Sequence, residues 1–410
     1  MMLPTTLAQF FVPFASLFIQ EPKEEPDNVL WLELRQLHAV SSSAQVVFAD
    51  VRAPISSLAD HTYTLRSRRT RRHRPASLDA FSQARATSVR FAQTLDIPWD
   101  EDEVEGPDVE SRETLLQLAK ITNNAYLPPD DPQWYDLGGE YNVSYPFGWE
   151  PDDDGFRGHV FATPDNKTVV LSIKGTSASF IGGGGPTSKK DKLNDNLLFS
   201  CCCARVDWTW TPVCGCYRAG GKCDINCLQE SLAEDSLFYP VGTNLYNNLT
   251  YLYPESNIWI VGHSLGGALA GLIGVTFGAP VVAFESPGEK MAAGRLHLPS
   301  PPSTHHITHV YHTADPIAMG TCNGVLSSCA LGGYAMESRC HLGKSIVYDT
   351  VSNLSWAVDI RTHTIVNVIE KLLNEPWPPS VEIGREVPEA IAEDDCEGEC
   401  YGWEFGDFPA

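Results

Sequence analysis

Basic residues are scarce in this chain: 29 Lys and Arg stand against 52 Asp and Glu, a formal charge of −23 over 410 residues. That balance repels a phosphate backbone, excludes nucleic acid as a partner and predicts a well-solvated acidic surface. Cys-x-x-Cys pairs, phosphate-binding glycine loops and dinucleotide fingerprints are all missing, so neither a metal nor a cofactor is expected. No internal repeat recurs, which argues against a solenoid or propeller. An uncharged, mostly apolar run opens the chain, where residues 3–19 (LPTTLAQFFVPFASLFI) reach only the lower length limit for a bilayer span. Pro4 and Pro13 interrupt that run, no Lys or Arg precedes it, and no clear small-residue cleavage site follows. Residues 1–20 are expected to be an N-terminal signal anchor or a signal peptide.

Cysteine, by contrast, is plentiful and even in number, at 12. Disulfides in an oxidising compartment are expected, with a thiolate metal site built on the Cys201–Cys203 triplet as the rival. Adjacent cysteines seldom pair with each other, so the triplet should staple one loop to several distant segments, while Cys396 and Cys400 should close a small loop in the tail. Sequons at Asn142, Asn166, Asn248 and Asn353 point to glycosylation and the same compartment.

The length suits a single α/β domain with extensions. Residues 21–110 form an N-terminal extension containing LRSRRTRRHRP, read as a solvated linker, an anionic-lipid contact or a processing site. The acidic run 100–113 reads as solvated loop. Residues 111–375 carry the α/β texture, and 376–410 form an acidic, cysteine-containing tail. An amphipathic helix is expected over Glu113–Asn124 and a hairpin from 159–163 and 168–173. Strands follow at 257–261, 281–284 and 307–313, and a last helix at 364–373.

The stretch SNIWIVGHSLGGALAGLIG concentrates the chemistry. Gly-x-Ser-x-Gly alone is weak, since roughly 0.1 to 0.2 accidental matches are expected in a chain this long. Its setting is stronger, because a β-branched and aromatic strand precedes Ser264 and a helix follows it, as a nucleophile elbow requires. Gly262 and Gly266 stand where a Cβ would strike neighbouring backbone. A serine nucleophile needs a base and an orienting acid downstream. Asp315 follows a strand and precedes Pro316, with Asp349 and Asp359 in reserve. Among the histidines, only His341 and His363 follow Asp315, and His363 is preferred because His341 sits beside Cys340. The oxyanion would be held by the backbone N–H of Leu265 and by an N–H at Thr176, at the exit of the strand ending in Lys174-Gly175. The segment SASFIGGGGPTSKKDKLNDNLLFS suggests a lid, with Leu193, Leu197, Leu198 and Phe199 as its membrane-facing side.

IKGT, GHSLGGALA, YHTADPI and RTH together resemble the class 3 lipases, the fungal triacylglycerol lipase family. More narrowly, LNDNLLFSCCCARVDWTW, APVVAFESPGEKMAAGRLHLP and VDIRTHTI resemble the fungal autophagic vacuolar lipases, over about residues 113–406. The resemblance implies an α/β-hydrolase fold, with Ser264, Asp315 and His363 as the triad. It implies a type II membrane glycoprotein, carried through the endoplasmic reticulum, Golgi and multivesicular bodies to the vacuole, with trafficking receptors as possible partners. There it would act at a membrane surface on phospholipid and triacylglycerol. Other esterases with the same elbow, and a non-catalytic lipid-binding module, are the alternatives. An acidic lumen raises a difficulty: a histidine near its ordinary pKa of ~6.5, raised further by Asp315, would be charged there and unable to accept a proton.

Overall fold

The computed structural model describes residues 28–41, 45–51, 65–91, 93–127, 131–135, 155–177, 188–205, 212–233 and 237–408. The N-terminal apolar run, Asn142 and the Gly182–Gly185 tract lie outside them. In chain order the strands are β1 (Val29–Leu30), β2 (Glu33–Val40), β3 (Val46–Asp50), β4 (Leu65–Pro75), β5 (Trp99–Pro107), β6 (Arg157–Ala162), β7 (Thr168–Ile173), β8 (Tyr217–Arg218) and β9 (Lys222–Asp224). They continue as β10 (Asn257–His263), β11 (Val281–Phe284), β12 (Ile307–His312), β13 (Lys344–Tyr348), β14 (Ala390–Ala392) and β15 (Glu404–Gly406). Among the described residues, the helices of eight or more residues are α1 (Leu78–Phe91), α2 (Arg112–Asn124), α3 (Ser188–Leu198), α4 (Ile225–Leu232), α5 (Phe238–Leu252) and α6 (Leu265–Phe277).

Nine strands form one sheet in the order β14-β13-β12-β11-β10-β7-β6-β2-β3. The five strands from β13 to β7 run parallel, and the flanking strands are antiparallel. Parallel strands are covered on both faces and so read as continuous apolar runs. In β10 (NIWIVGH) every residue after Asn257 is buried. On one face α6, almost wholly buried, packs with α3 and α5 around Leu171, Ile260 and Leu265. On the other, Leu115 and Leu118 of α2 meet Trp259, Phe284, Val368 and Leu372. This is the α/β-hydrolase architecture, with β7, β10, β11 and β12 delivering their carboxyl ends to one edge of the sheet. In open parallel sheets ligands bind at that edge.

Four expectations need correction. The arginine-rich run is not a linker: it is β4, paired antiparallel with the acidic β5, which is not a loop. Two runs of opposite charge, each awkward alone, satisfy one another across a ribbon. The apolar residues assigned to a lid belong to the core, with Leu197, Leu198 and Phe199 buried and Leu193 packed against the same cluster. Cys396 and Cys400 do not bond to each other; Cys396 pairs with Cys340 and Cys400 with Cys201. The triplet does reach three separate segments, since Cys202 pairs with Cys223 and Cys203 with Cys214. With Cys216–Cys227 and Cys322–Cys329, no free cysteine is left for a metal.

Candidate active site

Ser264 lies between β10 and α6 with φ 57° and ψ −130°, backbone angles that a non-glycine residue rarely adopts. Its N–H donates to the Phe284 carbonyl at 3.0 Å and its own carbonyl accepts from Gly267 at 2.9 Å, so both neighbours hold the turn. A Cβ on Gly262 would overlap the Gly266 carbonyl, and one on Gly266 would overlap the Ile173 carbonyl. The tight turn therefore excludes any side chain at the two glycines flanking the serine.

His363 closes a 3-10 turn, Ile360–His363, that is fastened to the end of β12. The Thr362 hydroxyl donates to the Ala314 carbonyl at 2.9 Å, and His312 Nε2 donates to the Thr362 carbonyl at 3.2 Å. His363 Nε2 thereby stands 2.9 Å from Ser264 Oγ while its Nδ1 donates to Asp315 Oδ2 at 2.7 Å. Asp315 is fully buried, and its Oδ1 accepts the Ile317 N–H at 2.8 Å. Burial works to raise this carboxyl, but the His363 charge and hydrogen bonds from His363 and Glu285 bring it down to about 2. The three residues expected to act together thus meet, in the tautomer a general base needs. The reserves serve elsewhere: Asp349 caps the short helix Thr350–Leu354, Asp359 pairs with Arg361, and His341 pairs with Glu393.

A second imidazole braces the first. His263 Nε2 lies 2.8 Å from the His363 carbonyl, which can only accept, so this nitrogen carries the proton and Nδ1 accepts from the Tyr126 hydroxyl at 2.7 Å. Burial, aided by the neighbouring His363, pushes His263 down to about 3 and keeps it neutral. Across the site, the Thr176 hydroxyl donates to Asp195 Oδ2 at 2.6 Å. Burial pushes Asp195 up to about 8 against that hydrogen bond. The same loop is anchored by Lys174, whose buried ammonium bonds Asp191 at 3.0 Å, and by the Ser177 N–H, which donates to Asp191 at 2.9 Å. Leu265 opens α6, so its N–H belongs to the first turn, where backbone donors have no intrahelical partner. A cleft of about 590 Å³ runs from Ser264 and His363 along Tyr126, Trp134, Ile317, Met336 and Val366. Its walls are mostly apolar, suited to a hydrocarbon chain.

A family model described as Lipase (class 3) matches residues 202–321, which include Ser264 and Asp315. A protein of Cryptococcus neoformans var. neoformans serotype D, named "Putative lipase ATG15", is 50% identical over 76% of this chain and 70% of its own length. The chain belongs to the class 3 lipase family. The namesake from a second strain of that species is 60% identical over 68% of this chain and 54% of its own. The one from Mycosarcoma maydis is 50% identical over 78% of this chain and 62% of its own. The chain thus spans a little over half to about two thirds of the length of these relatives.

Within this member of the family, several residues of the site escaped the sequence reading. Asp191 and Asp195 recur at i and i+4 on α3, a spacing that puts both on one face and was open to notice. His263 sits inside the pentapeptide itself. Glu285, the one acid ending the apolar strand β11, gave the third signal. Of the sequons, Asn166 lies in an exposed turn, Asn353 is exposed, and Asn248 is half-buried on α5 with its amide donating to the Asn244 carbonyl at 2.8 Å. Among the described residues no helix is long and apolar enough to cross a membrane.

Proposed function

We propose that this protein is a serine lipase that hydrolyses carboxylic esters of membrane phospholipid and triacylglycerol. The observation that carries this reading is the chain of hydrogen bonds from Ser264 through His363 to Asp315, 2.9 and 2.7 Å long, at the mouth of an apolar cleft. His363 takes the proton of Ser264 as Oγ attacks the ester carbonyl, and Asp315 holds the imidazole tautomer and steadies the imidazolium. The oxyanion is held by the backbone N–H groups of Leu265 and Thr176, the latter in a loop that the Thr176 hydroxyl fastens to Asp195. His363 then returns its proton to the leaving alcohol, and water repeats the sequence in reverse to release the fatty acid.

The relatives' name and the family fit a role in lysing autophagic bodies inside the vacuole. In that reading residues 1–20 anchor or target the chain, 21–110 and 376–410 flank the lipase domain at 111–375, and Asn142, Asn166, Asn248 and Asn353 carry glycans. The test is fatty-acid release at pH 5 and pH 7 from phosphatidylserine vesicles containing triacylglycerol. The parent should release it and Ser264→Ala should lose at least ~10⁴-fold, as removal of a serine nucleophile does elsewhere. Equal behaviour of the two proteins would overturn the reading in favour of a lipid-binding module.

A further inference from the structure

At the edge of the sheet where the parallel strands begin, the molecule has a second concavity. Ser264 and Asp315 follow the carboxyl ends of β10 and β12, whereas Val281, Thr308 and Lys344, at the amino ends of β11, β12 and β13, line a groove of about 650 Å³. The length of β12 sets the two edges roughly 16 Å apart, and the groove shares no lining residue with the catalytic cleft. Its far wall is the β4–β5 ribbon, so it takes up the arginine run that the catalytic reading leaves unused. Val281, His306 and Thr308 on the near wall are buried.

Charge in the groove runs against that of the chain. Arg68, Arg69 and Arg71 of β4, Lys344 of β13 and Arg385 before β14 line it with three carboxylates, Glu101, Glu110 and Glu389. Two of those acids are engaged, Glu110 at 2.7 Å from Arg68 and Glu101 at 3.2 Å from Arg71. Arg69 reaches Glu103 and Glu105 only at 3.6 and 3.9 Å. Lys344 and Arg385 are half-buried, and among the described residues neither has a carboxylate within ion-pair distance, Glu389 included. Each is thus partly withdrawn from water with no counter-charge to offset the loss. We propose that the groove is an anion-binding site, separate from the catalytic cleft, that takes a polyvalent phosphate on Lys344 and Arg385. Phosphate is favoured over a carboxylate because the surplus is two charges, and because a guanidinium fork matches two phosphate oxygens while an ammonium takes a third. A soluble phosphate compound and a phosphorylated lipid head group share this chemistry. A lipid held there would leave Ser264 at the far edge of the sheet, so the groove is no substrate subsite, and the proposal stands apart from the serine-lipase reading.

Calorimetric titration of the full chain with inorganic pyrophosphate, and with acetate for comparison, tests the site. Pyrophosphate should bind once per chain, at least about tenfold more tightly than acetate, and more weakly as salt is raised. Lys344→Gln and Arg385→Gln should each weaken it about tenfold, and together abolish it. Arg90→Gln with Lys371→Gln, exposed residues outside the groove, removes the same charge and should leave binding unchanged. No binding by the parent overturns the proposal, as does an equal loss in the two double variants, which would make net charge the cause. Should the groove variants not fold, amide hydrogen exchange of the parent decides: pyrophosphate should protect residues 68–71 and 344–346 and leave the turn 360–363 unchanged, and protection confined to other segments overturns the site. Flotation with phosphatidylcholine vesicles, with and without phosphatidylinositol bisphosphate, separates the two sources. Flotation that needs the phosphoinositide and is lost in the groove double variant assigns the phosphate to a lipid head group. Pyrophosphate binding with no flotation, or with flotation that the double variant keeps, assigns it to a soluble compound.

Discussion

Along β4 and β5, Arg69, Arg71, Arg72 and Arg74 stand opposite Glu105, Glu103, Asp102 and Asp100 on a ribbon open to water, whereas Asp315 and His363 meet at the sheet edge almost without it. The ribbon has many charges and each matters little, because exposed pairs are screened and gain at most about 1 kcal/mol. The buried group has few, and each matters greatly, because removing a carboxyl from water costs several kcal/mol unless hydrogen bonds or a proton offset it. On the ribbon, the hydrogen bond from Arg72 holds Asp102 below the usual carboxylate range. At the site burial pushes Asp195 up to about 8, while Asp315, paired with His363, is held at about 2.

The comparison can be broken most severely at Asp315. Asp315→Asn should cut kcat by about 10⁴-fold, since an amide favours the wrong tautomer of His363, while thermal unfolding changes much less. Retained activity would mean that the buried charge is only structural. Next in size is one of the two disulfides that hold the tail to the body: Cys340→Ser with Cys396→Ser should lower stability by about 2–4 kcal/mol in denaturant unfolding.

The pH dependence of stability sharpens the contrast further. Burial holds His38 near 4, His306 near 4 and His263 near 3, so the stability they contribute is complete above 6.5 and is lost as pH falls through those values. Asp195 is displaced the other way, to about 8, so its contribution is complete below 3.8 and disappears as pH rises toward 8. Stability measured by urea unfolding should therefore peak in mildly acidic solution, and Asp195→Asn should flatten its decline between pH 6.5 and 8. A decline unchanged in that variant would sink the assignment.

The smallest effects belong to the ribbon. Arg71, 3.2 Å from Glu101 and largely exposed, should be replaceable by alanine within about 0.5 kcal/mol. Arg72, mostly buried, bonds both oxygens of Asp102 at 2.7 and 3.1 Å and the Gly278 carbonyl at 3.3 Å, and should cost about 1–3 kcal/mol. Equal costs for the two would mean that burial is not what separates the regions.

What was legible in the chain beforehand had short-range causes. The run VVAF spans β11 as expected, and the helix expected over 113–124 begins one residue earlier, at Arg112, because Ser111 accepts the Thr114 N–H and caps it. Ser264, Asp315 and His363, which the fold brings within hydrogen-bond reach, could be picked out because an elbow is a local pattern and the acid and base were sought after it in order. The lid was misread because apolar residues at helical spacing fit a core as well as a membrane. The arginine run was misread because its partner strand lies some thirty residues away.

By itself, then, the amino-acid order determined the elements whose backbone terms act within a few residues: the tight turn at Gly262 and Gly266, the strands buried on both faces, and the even stock of cysteines. Only the tertiary structure decided which distant segments meet. It joined Cys400 to Cys201, set β4 against β5, placed Asp195 behind Thr176 and brought His363 to Asp315. The physical reason is the same in each case. Pairing and ionisation depend on how far the surrounding chain excludes water, and that exclusion exists only once the whole sheet and both of its covering layers have packed.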